Sequence, residues 1–312
     1  MKKILITGGA GYLGSLISTI FLEKDYKITV LDNLMHKKNT LNHILEENNF
    51  NFIKGDVRDS SLYKKLIKEN DIILPLAGIV GAPLCEKNKE LTKEVNQVAI
   101  DNLCKIKSKD QIIIYPTTNS GYGITDKNTI CTEDMNLNPI SLYGLTKVNA
   151  EKIVMEKDNT IALRLATVFG TSYRNRIDLL VNHFTYMAVK TKEILLFEPH
   201  FRRNYIHIRD IVYTFEYCLE KFDKMKNQIY NVGLSEANLT KLSLCEEIKK
   251  IVPDLKIKIS EKGKDPDKRD YFVSNEKIER TGWKTKMSFS EGIKELVSAY
   301  SKMENYEFDK NY

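Results

Sequence analysis

Lys3-Ile-Leu-Ile-Thr-Gly-Gly-Ala-Gly-Tyr-Leu-Gly14 is the stretch on which the reading of this chain turns. Five residues, Lys3 to Thr7, form an apolar run suited to one buried strand, and the run stops at glycine. Gly8, Gly11 and Gly14 then recur at the spacing G-x-x-G-x-x-G, and Leu16, Ile17, Ile20 and Phe21 follow at helical spacing. Strand, tight turn and helix make a seat for a pyrophosphate. Glycines admit the phosphates to the backbone, and the unpaired N–H groups and dipole of the helix N-terminus favour negative charge. Lys2 and Lys3 ahead of an apolar run could open a secretory signal, but the early glycine break and the lack of a small-residue cleavage site favour a first strand.

Working outward, a second apolar run, Lys27 to Leu31, ends in Asp32. A carboxylate there accepts hydrogen bonds from adenosine ribose hydroxyls and repels a 2′-phosphate, which favours NAD over NADP. A third run, Phe50 to Lys54, leads into Gly55-Asp56-Val57, where a carboxylate could reach the adenine amino group. A fourth, Asp71 to Leu76, ends in Ala77-Gly78, small enough to admit a dinucleotide. Strands alternating with helices predict an α/β fold: a Rossmann-type, doubly wound parallel sheet with ligands at the strand C-termini. The expected division is a cofactor domain over 1–166, completed by part of 204–235, and a smaller C-terminal substrate-binding domain over 167–312.

Composition supports a globular chain. Of 312 residues, 42% are hydrophobic and 29% charged, and no apolar stretch approaches the ~18 residues of a membrane helix. Cys85, Cys104, Cys131, Cys218 and Cys245 form no Cys-x-x-Cys pair, and their odd number fits no complete disulfide framework, so a reduced, cytoplasmic protein is expected. The five His show no metal-ligand spacing. The net charge of +6 comes from Lys scattered among Asp and Glu, the pattern of solvated helix faces rather than of a nucleic-acid patch. Only nine of the 48 basic residues are Arg, yet Arg174, Arg176, Arg202, Arg203 and Arg269 all fall in the second half. Their planar donor forks match phosphate oxygens, which points to a phosphate-bearing substrate.

The fifth apolar run, Gln111 to Tyr115, meets Pro116-Thr117-Thr118-Asn119-Ser120-Gly121. Tyr143-Gly-Leu-Thr-Lys147 then opens a helix, with Tyr143 and Lys147 on one face because residues four apart are neighbours. A phenol of pKa near ~10 is a poor base at neutral pH. An adjacent ammonium and a positively charged nicotinamide ring would lower that pKa and make Tyr143 a usable general base.

Gly8-x-x-Gly11-x-x-Gly14, Asp32, Asp56, Thr118 and Tyr143-x-x-x-Lys147 together resemble the extended short-chain dehydrogenases/reductases, in the branch of NAD-dependent sugar-nucleotide epimerases and dehydratases. The likeness runs on through Arg164 to Gly170 at an expected sixth strand, Asn204 to Asp210, and Arg269-Asp270. It implies catalysis by Thr118, Tyr143 and Lys147, with Tyr143 the base, Lys147 binding nicotinamide ribose and Thr118 holding the sugar hydroxyl. It implies NAD, tightly held, against Gly8, Gly11, Tyr12, Leu13, Gly14, Asp32, Asn33, Asp56, Val57, Leu76, Ala77 and Gly78, besides Tyr143 and Lys147. For the substrate, a nucleotide-diphosphate sugar, it implies Thr118, Asn119, Ser120, Thr167, Asn182, Arg203 and Arg269. Arg174, Arg176 and Arg202, extra to the common pattern, are added as substrate candidates. A homodimer is implied through helices at about 141–156 and 90–105, with Val95, Val98 and Leu103 as candidate contacts.

Family members share oxidation at sugar C4 and diverge afterwards. Dehydratases follow the active-site Thr with an acid and a base, whereas here Asn119 and Ser120 stand, and neither exchanges a proton as a carboxyl does. A 4-dehydrogenase and a 4-epimerase remain. Leu76 to Cys85, Ser120 to Gly123, Phe201 to His207 and Asp265 to Asp270 resemble the bacterial GDP-heptose 4-dehydrogenases of capsule biosynthesis, which favours net oxidation. A 2-keto acid such as α-ketoglutarate is then a candidate second substrate to reoxidise NADH. A non-catalytic NAD-binding sensor is the alternative from another class, disfavoured because such proteins lose Tyr or Lys of the pair.

Overall fold

The computed structural model describes residues 1–38, 40–260 and 269–303. Five strands of the large sheet precede the midpoint of the chain: β1 (Lys3–Thr7), β2 (Lys27–Asp32), β3 (Phe50–Lys54), β4 (Ile72–Pro75) and β5 (Ile112–Thr118). With Thr160–Leu165 and Gln228–Val232 they form one seven-stranded sheet. Its order is Gln228–Val232, Thr160–Leu165, β5, β4, β1, β2, β3, and every pairing is parallel. Such a sheet is covered on both faces, so its inner strands are largely apolar without alternation. On β1, Ile4 and Ile6 enter one core cluster and Leu5 the other. The order reverses between β1 and β4, the switch point where this architecture opens a crevice.

Pro116 sits inside β5 without breaking the sheet. The Ile112 N–H points towards β4 and the Ile113 N–H away from it, so position 116 also faces β4. Pairing with β4 has ended by then, at Ile73 opposite Ile113, and the missing donor costs no ladder bond.

The expected sixth strand from Arg164 to Gly170 is two strands. Ala166 N bonds Val232 O, the last link to the large sheet. Thr167–Phe169 then leaves to pair with Arg202–His207, which also pairs antiparallel with Asn238–Thr240. This smaller sheet packs with helices Leu180–Lys190, Lys241–Ile251 and Phe289–Lys302 around Phe169, Val181, Tyr205, Leu244 and Leu296. Gln228–Val232 meanwhile returns to complete the large sheet.

Phe272–Val273 pairs with Ile130–Cys131 and Asp270 bridges Ile124, which carries Arg269 to the turn after β5. Residues 265–268 of the Asp265 to Asp270 likeness, and the tail after Met303, lie outside the described residues. Lys89–Lys93, a π-helical turn Glu94–Val98 and Ala99–Ile106 lie against the helix Leu142–Met155. Of the three dimer candidates, Val95 and Leu103 face inward, spent on the core beside β4 and β5, and Val98 is exposed. Among the described residues no helix is long and apolar enough to cross a membrane.

Candidate active site

A cavity of about 940 Å³ runs along the C-terminal ends of the large sheet and into the smaller unit. One end is built by the glycine turn. Gly8 has φ +71, a conformation costly for other residues, and a Cβ there would lie 2.7 Å from the Ala77 backbone. A Cβ on Gly14 would lie 2.3 Å from Gly8 O. Gly11 caps the helix Tyr12–Leu22 with no side-chain bond and no acid in the first turn, whereas Asp59 and Ser141 cap their own helices. The first N–H groups here are therefore left for an anion.

Asp32, at the end of β2, accepts from Ala10 N at 3.0 Å and Leu34 N at 2.8 Å and lines the cavity. Burial raises its pKa, opposed by those two bonds. Asp56 is gripped at both oxygens by Arg58 and receives Asn33 Nδ2 at 3.0 Å, and these bonds hold its carboxyl at about 2. Asp56 is therefore ionised at neutral pH. Tyr12, Leu13, Asn33, Val57, Leu76, Ala77 and Gly78 line the same groove. A close-approach turn, an open helix N-terminus and a ribose-facing acid together fit a dinucleotide.

The reacting end lies between β5 and the helix Leu142–Met155. Ser141 caps that helix, accepting from Gly144 N at 3.1 Å, and sets Tyr143 in its first turn. Thr118 donates to Ser120 Oγ at 2.9 Å and accepts from Ser120 N at 3.1 Å. Arg269 also donates to Ser120 Oγ, so one serine joins the end of β5 to the substrate-side arginine. The Lys147 ammonium stands 4.1 Å above the Tyr115 ring, and burial lowers its pKa to about 7 against the opposing pull of Glu151.

Burial raises the pKa of Tyr143, with Cys85 adding to it, and what chiefly opposes this is Arg269, a hydrogen bond with Thr118, and Arg176. The chain by itself leaves Tyr143 a phenol, so the charge that makes it a base must come with the ligands.

Two supports were not legible as site residues. Glu151 continues the Tyr143, Lys147 series by another four residues and grips Arg164, with Nη2 to Oε1 at 2.7 Å and both groups buried. That spacing could have revealed it. Asn96, in the π-helical turn, accepts from Ile79 N at 2.8 Å, donates to Ile79 O at 2.9 Å and reaches Thr146 at 3.4 Å. It ties the loop after β4 to the Tyr143 helix, and no local pattern announces it.

Of the residues expected at the substrate, Thr118, Ser120, Thr167, Arg174, Arg176, Arg203 and Arg269 line the cavity. Asp178 and His183, which the sequence reading passed over, line it too. Arg176 binds Asp178 with Nε at 3.1 Å and Nη2 at 2.5 Å. Arg203 lies over the Tyr271 ring at 5.6 Å.

Three expected substrate residues stand elsewhere. Arg202 points away from Arg203, as neighbours on a strand do, and pairs with Asp270 at 2.9 Å. Asn182 is spent on backbone, accepting from Gly170 N and donating to Arg176 O, and so shapes the loop that carries Arg176. Asn119 is fully buried beneath the turn, off the cavity. The thiol of Cys85 is buried and donates to Ile79 O, and burial pushes its pKa up to about 11, the profile of a packing residue.

The sequence profile described as the NAD dependent epimerase/dehydratase family matches residues 4–233. The trifunctional UDP-glucose 4,6-dehydratase/UDP-4-keto-6-deoxy-D-glucose 3,5-epimerase/UDP-4-keto-L-rhamnose-reductase of Arabidopsis thaliana is 28% identical over 96% of the chain. The chain spans about half of that relative, 47% of its length. The dTDP-glucose 4,6-dehydratase of Bacillus anthracis, solved in complex with NAD, is 25% identical with a TM-score of 0.82 over 97% of both chains. The UDP-glucose 4-epimerase of Thermotoga maritima, solved with UDP-glucose, shares the fold, with a TM-score of 0.82 at 24% identity over 96% of this chain and 99% of its own.

Proposed function

The chain belongs to the NAD dependent epimerase/dehydratase family, with NAD as its cofactor, and from that premise we propose that it oxidises the C4 hydroxyl of a nucleotide-activated sugar and releases the ketone. When bound, NAD supplies the hydride acceptor at C4 and a positively charged ring beside Tyr143. Tyr143, as the phenolate that the Lys147 ammonium and the nicotinamide charge stabilise, takes the proton of the C4 hydroxyl and becomes a phenol, while Thr118 holds that hydroxyl. Arg203 and Arg269 hold the diphosphate in the substrate half of the cavity.

The observation that carries this reading is the turn after β5. It presents Thr118 and Ser120 to the cavity while Asn119 is buried away from it, so the turn itself offers no carboxyl to eliminate water. The proposed substrate is GDP-D-glycero-α-D-manno-heptose, oxidised to its 4-keto form for capsular polysaccharide. Its support is the likeness of the Leu76 to Cys85, Ser120 to Gly123 and Phe201 to His207 segments. A 2-keto acid such as α-ketoglutarate reoxidises the NADH.

NMR in deuterated water, with GDP-heptose and with or without α-ketoglutarate, tests this. A 4-keto or hydrated product that multiplies with the keto acid is the expected result. A C4-inverted sugar formed with no need of keto acid would make the protein a 4-epimerase, a reading that the names of its relatives also support. Tyr143→Phe is expected to lose most activity with NAD still bound; a non-catalytic sensor would be indifferent. A homodimer through the helices Lys89–Ile106 and Leu142–Met155 completes the proposal, supported by exposed Val98 and Leu145.

A further inference from the structure

We propose that Arg174 is a cofactor-binding residue: the loop from Thr171 to Asp178 crosses from the substrate half to the glycine turn and lays the Arg174 guanidinium against the NAD diphosphate. The reading of the groove as a dinucleotide site underlies this inference. Hydrogen bonds and a ring stack fasten the loop, and Gly170 just before it, to the helix Tyr12–Leu22. Ser172 Oγ donates to Tyr12 O at 2.6 Å and lies 3.1 Å from the Ser15 hydroxyl. The Tyr12 phenol donates to Gly170 O at 2.8 Å. The Tyr173 ring stacks on His43 at 4.0 Å, and His43 is itself bonded to Thr19 of the same helix at 2.9 Å.

Arg174 lies two residues beyond the Ser172 anchor, and Asn175 closes the turn by accepting from Ser172 N at 2.9 Å. Only 4% exposed, Arg174 lines the groove with Gly11, Leu13 and Asp32. The Arg174 charge is felt at Asp32, while that of Arg176 reaches the reacting end at Tyr143 as well as Tyr12. Arg176 is also engaged by Asp178, whereas Arg174 stands on the cofactor side, where a planar donor fork matches a diphosphate bidentately. Arg174 thus moves from the substrate, where its place in the sequence put it, to the cofactor.

The test is isothermal titration of the full-length protein, freed of nucleotide, with NAD and separately with GDP and UDP. Arg174→Ala is expected to weaken NAD about 10- to 100-fold while GDP and UDP change less than about twofold, the range of one charge-assisted contact. Arg203→Ala is expected to do the reverse. An Arg174→Ala protein that folds and binds NAD as wild type does, or loses GDP and UDP as much as NAD, would overturn the inference. Should Arg174→Ala fail to fold, Ser172→Ala decides, since it removes only the anchoring hydroxyl. Weaker NAD binding with GDP and UDP unchanged supports the strap, and unchanged NAD binding overturns it. Wild-type protein that bound no NAD would sink the dinucleotide reading itself, and the inference with it.

Discussion

Glu151→Gln tests the charge chain behind the catalytic helix. Arg164 gives Glu151 three donations, Nε to each oxygen at 3.1 Å and Nη2 to Oε1 at 2.7 Å, and gives Nη1 to the Tyr122 hydroxyl and Glu133 O. The Arg164 and Glu151 side chains are 4% and 3% exposed, so water screens the pair little. Gln keeps the volume and one acceptor oxygen but removes the charge, leaving the guanidinium buried without a counterion. Breaking such a pair costs about 3–5 kcal/mol, and the retained acceptor places this case near the low end, about 3 kcal/mol. With an unfolding entropy of about 2 cal/mol/K per residue over 312 residues, that lowers Tm by roughly 5 °C.

The same substitution acts on catalysis. Glu151 is the group that opposes burial at Lys147, so its loss sends the Lys147 pKa below about 7. The ammonium then deprotonates at lower pH, and the alkaline limb of the kcat/KM profile moves to lower pH. Calorimetry and the pH–rate profile, read as NADH absorbance, check both parts. A Tm within about a degree of wild type, with an unmoved alkaline limb, would refute the reasoning that the pair is desolvated and coupled to Lys147.

Three further outcomes are expected. Lys147 has a folded pKa near 7, far below its unfolded value, so the unfolded chain binds the extra proton and stability rises from about pH 7 to 10.4. Lys147→Met should therefore raise Tm at neutral pH, flatten that rise and abolish C4 oxidation; a lowered neutral Tm would contradict the burial argument. Glu295, held at about 2 by His207 and Thr171 against the effect of burial, contributes stability above its unfolded pKa that fades as pH falls from about 4.3 to 2. Glu295→Gln should flatten acid unfolding in that window, which circular dichroism against pH would show. Asn119→Asp with Ser120→Glu should yield no dehydratase, because position 119 is buried off the cavity and its carboxyl would be a buried charge rather than an acid at the sugar; a product lighter by one water in mass spectrometry would prove this wrong.

What the sequence determined is what depends on neighbours in the chain. The glycine turn was legible because a close approach of backbone to backbone tolerates only glycine at Gly8 and Gly14. Tyr143 and Lys147 were legible because helical spacing alone puts them together, and β1 to β4 because a sheet buried on both faces must be apolar throughout. Tertiary structure decided what depends on distant partners. Arg202 and Arg203 are adjacent in sequence, yet only the second reaches the cavity, because Asp270, 68 residues away, takes the first. Asn119 reads as an active-site neighbour of Thr118 until the packing of the turn buries it. Tyr143 reads from its spacing as a base, while the burial that raises its pKa is a property of everything around it.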